Sequence, residues 1–155
     1  MRLAFPGSFD PVTYGHIDII KRALLIADEV YVVVEDNLNK NYMFSSADRF
    51  AMVSSVFEGE KGIIVESYGG MTVDYCKERS IDAIVRGIRN SADLEYEKTI
   101  AAYNRDLSGI ETVFLLTDPK YEHFSSTGVR ELIRYDRDIS RYVPEIVSGY
   151  IKNNN

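Results

Sequence analysis

Short apolar runs alternate with amphipathic segments along almost the whole chain. The run at residues 30–34 reads Val-Tyr-Val-Val-Val, which is too uniformly apolar for a strand with one wet face. A strand followed by a helix, repeated along the sequence, predicts a parallel sheet covered by helices on both faces. Because crossovers between parallel strands are right-handed, the pattern favours a doubly wound sheet with strand order 3-2-1-4-5.

We therefore predict an α/β fold: a single-domain, Rossmann-like, five-stranded parallel sheet with C-terminal helices. The domain is expected to span residues 1–152, followed by a disordered tail at 153–155. The predicted strands cover residues 3–5, 30–34, 63–65, 82–86 and 112–116. The predicted helices cover residues 16–27, 46–57, 71–79, 92–107 and 126–135, and a last helix starts with Pro144 at its first position.

Composition limits the kinds of partner. The chain has 18 basic and 24 acidic residues and a net charge of −6, which argues against wide contact with nucleic acid but leaves room for a small anionic ligand. Cys76 is the single cysteine, so no intrachain disulfide is possible, and we expect a small buried residue in a reducing compartment. No apolar run approaches the ~20 residues of a membrane span, and the N-terminus resembles no signal peptide. We expect a soluble, cytoplasmic protein.

Polar clusters follow each of the five predicted strands. Sheets of this kind bind ligands outside the carboxyl ends of their strands, at the switch point between strands one and four. Cations and helix N-termini are therefore expected to converge on one crevice suited to phosphate. The clusters are Gly7-Ser8-Phe9 with His16, then Lys40, then Gly69-Gly70-Met71-Thr72, then Arg86-Gly87-Ile88-Arg89, and finally Phe124-Ser125-Ser126-Thr127 with Arg130.

The familiar phosphate-binding motifs are missing. The sequence contains neither G-x-x-x-x-G-K-[ST] nor G-x-G-x-x-G, which leaves a histidine at a helix start as the remaining common option. Taken one by one, these residues have plainer interpretations. His16 could be a structural polar residue, Lys40 a solvated loop lysine, and Arg86 the partner of a carboxylate such as Asp93.

Other candidates are equally ambiguous alone. The serines at 125 and 126 could simply cap a helix, a role compatible with phosphate binding because both use the same N–H groups. Glu97 could lie on a solvated helix face, and Arg130 on the surface. His123 has no partner in the sequence and is expected on a loop surface. The convergence of all the clusters, rather than any one of them, favours a functional site.

Two motifs carry a more specific resemblance. Thr13-Tyr14-Gly15-His16 resembles the [HT]-x-G-H signature of the nucleotidylyltransferase superfamily, and Phe124-Ser125-Ser126-Thr127-Gly128-Val129-Arg130 resembles its I-S-S-T-x-x-[RK] signature. Pro6-Gly7-Ser8-Phe9-Asp10-Pro11, Lys40, Arg86-Gly87-Ile88-Arg89 and the segment from Asp93 to Glu97 are similar, in order and spacing, to the bacterial phosphopantetheine adenylyltransferase family. The resemblance extends from Arg2 to about Ile151.

The resemblance implies a reaction. The phosphate of 4′-phosphopantetheine attacks the α-phosphorus of ATP, pyrophosphate leaves and dephospho-coenzyme A forms, in line and without a covalent enzyme intermediate. Magnesium is the expected ion, and no protein side chain is identified as its ligand. The family also implies a homohexamer and feedback inhibition by coenzyme A.

The resemblance also assigns roles to residues. His16, Lys40 and Arg89 are expected to be catalytic, with His16 donating a hydrogen bond to the α-phosphate. The expected acceptor-binding residues are Ser8, Lys40, Thr72 and Arg86. The expected ATP-binding residues are Ser8, Phe9, His16, Gly87, Ile88, Arg89, Glu97, Tyr121, Glu122, His123, Phe124, Ser125, Ser126 and Thr127.

The chain departs from the family pattern at two positions. Ser8 stands where the family usually has threonine, which keeps the hydroxyl, and Phe124 stands where it usually has isoleucine or leucine, which affects packing. Two other hypotheses stay open: another small nucleotidylyltransferase, making a dinucleotide cofactor or a CDP-alcohol, or a non-catalytic nucleotide-binding protein. Fold alone does not decide among them.

Overall fold

A computed structural model describes residues 1–154 and contains one five-stranded sheet. The strands, numbered in chain order, are β1 Arg2–Gly7, β2 Glu29–Glu35, β3 Ile63–Tyr68, β4 Ala83–Ile88 and β5 Glu111–Leu116. The helices are α1 Tyr14–Ala23, α2 Ser46–Val56, α3 Thr72–Glu78, α4 Ser91–Ser108, α5 Ser126–Arg134 and α6 Glu145–Asn153. A 3₁₀ turn at Pro119–Tyr121 precedes α5.

The strand order is β3-β2-β1-β4-β5 and every pairing is parallel, so the predicted fold class is confirmed. β1 lies at the centre, with Leu3 opposite Val30 on one side and Ala83 on the other. The carboxyl ends of β1 and β4 are therefore neighbours on the two sides of the switch point, where the ligand crevice of this fold is found.

The two faces of the sheet carry separate cores. One face packs against α1, α2, α5 and α6 through alternate residues of the strands, and this core is the larger of the two. The opposite face packs against α3 and includes Tyr75 and Cys76. Cys76 is buried, as expected, and burial raises the pKa of its thiol to about 11, so it stays protonated at neutral pH.

Gly87 sets the distance between α1 and β4. A Cβ at this position would lie 2.9 Å from Cγ1 of Ile19, so only glycine lets α1 approach β4 this closely. Ile19 itself is 2% exposed and belongs to the core. The close approach brings the start of α1 beside the end of β4.

Several predicted boundaries are wrong. α1 ends at Ala23 rather than Ala27, because the chain turns there and Asp28 donates its backbone N–H to the carbonyl of Met1 beside β1. Asp82 precedes β4 instead of extending it. Pro144 is the N-cap of α6, not its first residue, and its carbonyl accepts from the N–H of Val147.

The last helix extends into the segment predicted as the tail. α6 includes Asn153, and Asn154 donates its backbone N–H to the carbonyl of Tyr150, while Asn155 lies outside the described residues. Within residues 1–154, no helix is both long enough and apolar enough to cross a membrane.

Candidate active site

Two neighbouring cavities open at the carboxyl ends of the strands. The first, the His16 cavity, has a volume of about 300 Å³ and is bounded by the starts of α1 and α5 and the end of β4. The second, the Thr72 cavity, has a volume of about 650 Å³ and lies among the ends of β2 and β3, the start of α3 and one side of α4. They share a wall formed by Pro6, Gly7, Ser8, Lys40, Arg86 and Glu97.

Most of the predicted site residues line these cavities. Thr72 lies in the second cavity, and the acceptor-binding candidates Ser8, Lys40 and Arg86 lie in the shared wall. The structure therefore brings together residues that follow all five strands. The ATP-site candidates in the His16 cavity are Ser8, Phe9, His16, Gly87, Arg89, Glu97, Tyr121, Phe124, Ser125, Ser126 and Thr127.

Three of the predicted ATP-binding residues lie elsewhere. Ile88 is buried and Glu122 exposed, and both line a third, open depression of about 590 Å³ that shares Arg89 with the His16 cavity. His123 is exposed and packs its ring edgewise on Phe124 at 4.8 Å between centroids. Its position agrees with the loop surface that the sequence indicated.

His16 is held by the cap of its own helix. Thr13 is the N-cap of α1, and its backbone N–H donates to Nδ1 of His16 at 3.0 Å. Since Nδ1 accepts this hydrogen bond, the neutral imidazole carries its proton on Nε2. The side chain therefore offers an N–H donor at the end away from the cap, which is the end free for a ligand. A histidine here takes the place of glutamate in an ordinary capping box.

The surroundings of His16 favour its neutral form. Burial, followed by the charges of Arg86 and Arg89, lowers the pKa of His16 to about 4. The burial comes from aromatic neighbours: the rings of Phe9 and Phe5 lie 5.1 Å and 6.4 Å from the imidazole, both edge-on. At neutral pH the side chain is an uncharged hydrogen-bond donor.

Phe9 adopts a left-handed backbone conformation, with φ of 50°. For a residue other than glycine this costs about 1–2 kcal/mol. Its side chain is 1% exposed, and burial of a phenylalanine of this kind is worth about 1.5–3 kcal/mol, which offsets the strain. The turn brings the Phe9 ring under His16 and leaves Ser8 in the cavity wall.

Lys40 meets Ser8 across the shared wall. The ammonium Nζ of Lys40 donates to Oγ of Ser8 at 2.7 Å, which joins the loop after β1 to the loop after β2. Lys40 is exposed and Ser8 is half-buried. The pair presents a cation and a hydroxyl to the same space, a combination suited to a phosphate group.

Arg86 is fixed by a buried carboxylate, and the suggested pairing with Asp93 is wrong. Its Nε donates to both carboxylate oxygens of Glu97, and its Nη2 donates to Oε1 of Glu97 at 2.8 Å. Its Nη1 donates to the carbonyl of Pro6. Glu97 is 7% exposed and is the one buried residue of α4. The guanidinium is thereby held at the junction of the two cavities.

Asp93 instead holds Arg89. Nε of Arg89 donates to Oδ2 of Asp93 at 3.0 Å, and the backbone N–H of Arg89 donates to the same oxygen. Burial alone would raise the pKa of Asp93, but these hydrogen bonds hold it below its ordinary value, so the carboxylate is ionised at neutral pH. Arg89 thus enters the His16 cavity as a prepositioned cation.

The start of α5 is tied to the loop after β1. Ser125 caps the helix by accepting from the N–H of Gly128, and Ser126 donates its hydroxyl to the carbonyl of Pro11 at 2.7 Å. Arg130 donates to the carbonyl of Asp10 at 2.9 Å and to Oγ1 of Thr127. The second signature segment therefore contacts the loop after β1, and the α5 N-terminus lies in the wall of the His16 cavity.

In the second cavity, Thr72 has a defined partner. Its hydroxyl donates to Oε1 of Glu35 at 3.0 Å, joining the start of α3 to the end of β2. Beyond this pair, α4 contributes uncharged side chains to the lining: Tyr96, Ile100, Ala101 and Asn104. This region can make polar and apolar contacts with a ligand but offers no cation other than those of the shared wall among the described residues.

Sequence reasoning missed two supporting residues. Asp10 is 3% exposed and accepts from the backbone N–H groups of Met43 and Phe44 at 2.8 and 2.9 Å. Arg49 is fully buried. A signal for Arg49 exists, because it lies three residues before Met52 on α2 and so interrupts a buried apolar stripe.

No metal centre is formed by the protein itself in the described part of the chain. Within residues 1–154, no three His, Cys, Asp or Glu side chains are grouped so that they could hold a metal ion. The two carboxylates of the His16 cavity, Asp93 and Glu97, are occupied by arginines. These residues do not fit a protein-held magnesium ion.

Comparison with known proteins gives this geometry a family. The sequence matches the cytidylyltransferase-like family over residues 4–132. It is 50% identical over 143 residues to the phosphopantetheine adenylyltransferase of Flavobacterium psychrophilum, covering 92% of this chain and 95% of that protein. The chain belongs to the phosphopantetheine adenylyltransferase family.

Other members of the phosphopantetheine adenylyltransferase family are similarly close. The protein of Paenarthrobacter aurescens is 46% identical over 147 residues, covering 94% of this chain and 89% of the relative. That of Bacteroides fragilis is 45% identical over 144 residues, covering 93% and 96%. Both alignments span nearly the full length of this chain. The family resemblance predicted from the sequence is confirmed.

Proposed function

We propose that this chain transfers the adenylyl group of ATP to 4′-phosphopantetheine, releasing pyrophosphate and forming dephospho-coenzyme A. The observation that carries the proposal is the shared wall of Ser8, Lys40 and Arg86 between two cavities of different character. A reaction that joins two substrates through one phosphate needs such a junction, where the acceptor phosphate meets the phosphorus it attacks.

Each cavity suits one substrate. The His16 cavity combines Arg89, the His16 donor and the N-terminus of α5, which together favour a polyphosphate. The Thr72 cavity, with its uncharged lining along α4, suits the amide-containing arm of pantetheine. The acceptor phosphate then lies at the wall, held by the Lys40 ammonium and the Arg86 guanidinium and oriented by the Ser8 hydroxyl.

The chemistry is one in-line displacement. An oxygen of the acceptor phosphate forms a bond to the α-phosphorus of ATP, while the bond from that phosphorus to the bridging oxygen breaks and pyrophosphate leaves. The neutral His16 donates its Nε2–H to an α-phosphate oxygen as negative charge develops there, and Arg89 adds a fixed cation. Because every partner is in place beforehand, alignment and electrostatic stabilisation supply the catalysis.

Magnesium is proposed to enter with ATP as its phosphate-bound ion, where it would neutralise phosphate charge. The ion would be held by the phosphates and not by the protein, since the carboxylates nearest the reaction are engaged by arginines.

Three further properties are proposed with the activity. A homohexamer is supported by exposed apolar side chains along α4 and β5, including Tyr96, Tyr103 and Leu116, which are 67%, 65% and 72% exposed. Feedback binding of coenzyme A is supported by chemistry, because that molecule carries both the pantetheine arm and an adenine nucleotide. A cytoplasmic location is proposed because the one cysteine is a buried free thiol, compatible with a reducing compartment.

The deciding experiment measures pyrophosphate release. Purified protein supplied with ATP, magnesium ion and 4′-phosphopantetheine should release pyrophosphate and form dephospho-coenzyme A in equal amounts. Parallel reactions should contain nicotinate mononucleotide or an alcohol phosphate, with either ATP or CTP. Turnover only in a parallel reaction would replace the proposal by another nucleotidylyltransferase activity. Nucleotide binding without turnover on any acceptor would indicate a non-catalytic binding protein.

A further inference from the structure

Arg49 is a fully buried cation that lies outside the lining of both cavities. It extends from α2 and donates Nη1 to the carbonyls of Ser8 and Glu35, at 2.8 and 2.7 Å. Its Nε donates to the carbonyl of Phe44 at 3.2 Å. Removing a charged guanidinium from water is costly, and it is compensated here mainly by backbone carbonyl oxygens.

The same guanidinium also anchors the loop that carries Lys40. Its Nη2 lies 3.4 Å from Oδ1 of Asp36, and its central carbon lies 3.7 Å from the centroid of the Tyr42 ring. The Tyr42 hydroxyl in turn accepts from the backbone N–H of Asn37 at 3.0 Å. Asp36, Asn37 and Tyr42 flank Lys40 in sequence, so Arg49 holds this loop near both of its ends.

Arg49 thereby contacts both loops whose tips meet at the Lys40–Ser8 hydrogen bond. One loop follows β1 and the other follows β2. A lysine in place of Arg49 would keep the charge but lose the planar set of five donors that reaches three carbonyls at once. The Lys40–Ser8 distance of 2.7 Å depends on the relative placement of the two loops.

We propose that Arg49 is a positioning residue for the acceptor phosphate, acting through Ser8 and Lys40. The inference rests on the proposed function, because it concerns the wall where that phosphate would bind. Arg49 lines neither of the two cavities, so it would act on the phosphate only through Ser8 and Lys40. Its role predicts a selective effect: disturbing it weakens the acceptor site at the shared wall and leaves the ATP site, around Arg89 and the start of α5 in the His16 cavity, nearly unchanged.

The test compares Arg49→Lys and Arg49→Met by steady-state kinetics, together with calorimetric binding of 4′-phosphopantetheine. Since small misplacements of positioning groups have large effects, KM for the acceptor should rise roughly tenfold or more in Arg49→Met and less in Arg49→Lys. KM for ATP should stay within about twofold. Tyr42→Leu, which removes the ring stacked on the guanidinium, should change the acceptor KM in the same direction if Arg49→Met does not fold.

Met52→Ala is the matched control, because Met52 lies on the same helix, is equally buried and contacts the core. It should lower the melting temperature without changing the acceptor KM. In a Lys40→Ala background, Arg49→Lys should add less than about a twofold further change, since the two residues act on one contact.

Two outcomes would overturn the inference. Equal increases in both KM values would reduce Arg49 to a general structural role, as would an acceptor KM shift in Met52→Ala matching that of the arginine variants. A wild-type protein that neither binds nor turns over 4′-phosphopantetheine would instead overturn the proposed function, so the two failures are distinguishable.

Discussion

The His16 cavity and the Thr72 cavity share a wall, yet they hold their side chains in different ways. In the first, each reactive group has a fixed partner: Thr13 orients His16, Asp93 holds Arg89, and Glu97 holds Arg86. In the second, away from the shared wall, the Thr72 hydroxyl is held by its hydrogen bond to Glu35, and exposed residues of α4 such as Tyr96 contribute to the lining.

The difference follows from the charge of what each cavity would bind. Stabilising charge that develops on phosphate oxygens requires donors already in place, because reorientation during the reaction would consume the stabilisation. An uncharged arm needs shape and a few hydrogen bonds, whose individual contributions are smaller. Substitutions should therefore have large effects in the His16 cavity, intermediate effects in the shared wall and small effects in the Thr72 cavity.

The largest effect is expected for His16→Ala. Loss of one donor to the developing charge should lower kcat by roughly 10²–10³-fold, while KM for ATP changes little because ground-state binding uses other groups. Pyrophosphate release under saturating substrates measures this. His16→Gln, which keeps an N–H donor, should retain more activity than alanine. An unchanged kcat in His16→Ala would contradict the assignment of this residue.

The titration of His16 tests whether its side chain is a neutral hydrogen-bond donor at neutral pH. With a pKa of about 4 for His16, the NMR chemical shift of its C2 proton should titrate with a midpoint two to three pH units below that of an ordinary histidine. The chain has two histidines, so a His123→Gln spectrum assigns both signals. A midpoint near 6.5 for His16 would contradict the neutral donor inferred from its contact with Thr13.

The same shift has a consequence for stability. Between pH 6.5 and 4, His16 is protonated in the unfolded chain but still neutral in the folded one. The free energy of unfolding should therefore fall as pH decreases through this window. Above pH 6.5 His16 is neutral in both the folded and the unfolded chain, so its titration no longer lowers the free energy of unfolding. In His16→Gln, urea unfolding should show a weaker dependence on pH across the same window. Equal pH dependence in both proteins would exclude the depressed pKa.

An intermediate effect is expected in the shared wall. Arg86→Met should raise KM for the acceptor roughly 10–100-fold, because it removes one or two hydrogen bonds to a charged group. It should also destabilise the protein by about 3–5 kcal/mol, because Glu97 is left buried without its partner. Kinetics and urea unfolding measure the two effects separately.

A second substitution separates these effects. Adding Glu97→Met removes the unpaired carboxylate, so the double variant should recover most of the stability but none of the acceptor affinity. Recovery of both would mean that Arg86 acts only through the structure of α4. Arg79→Lys, an exposed arginine paired with Glu66 outside both cavities, should leave both quantities unchanged.

The topology and the meeting of cations at one end of the sheet could be predicted from the sequence, because both depend on apolar periodicity and on strand order. The partners of the arginines could not. Asp93 and Glu97 are four residues apart on one face of α4, and which of them meets Arg86 depends on how far the helix is offset along β4. That offset is a property of the packed structure, so Asp93 was a reasonable but wrong choice for Arg86.

The end of α1 could not be predicted from the sequence either, because it too depends on the packed structure. The apolar residues after Ala23 continue the pattern of α1, but the need to place β2 beside β1 ends the helix early. Arg49 can be noticed as a lone cation within an apolar stripe, but the stripe does not indicate the three carbonyls that the guanidinium meets. Backbone partners brought together from distant segments leave little trace in the pattern of a sequence.

The smallest effect is expected in the Thr72 cavity. Thr72→Val keeps the shape of the side chain but removes the hydroxyl that donates to Glu35, so it tests a single hydrogen bond at the start of α3. Thr72 is also an expected contact of the acceptor, and a hydrogen bond between uncharged groups is worth about 1 kcal/mol, so KM for the acceptor should rise roughly 3–10-fold. Neither kcat nor KM for ATP should change, because neither Thr72 nor its partner Glu35 lines the His16 cavity.

Thr72→Ser supplies the control for this comparison, since it keeps the hydroxyl and loses one methyl group; its acceptor KM should stay within about twofold of wild type. A truncated acceptor that keeps the phosphate but lacks the amide arm extends the comparison. It should be insensitive to Thr72→Val and still sensitive to Arg86→Met. If Thr72→Val instead raised KM for ATP as much as KM for the acceptor, the two cavities could not serve separate substrates. The contrast between the preorganised His16 cavity and the Thr72 cavity, with its uncharged lining along α4, would then need another explanation.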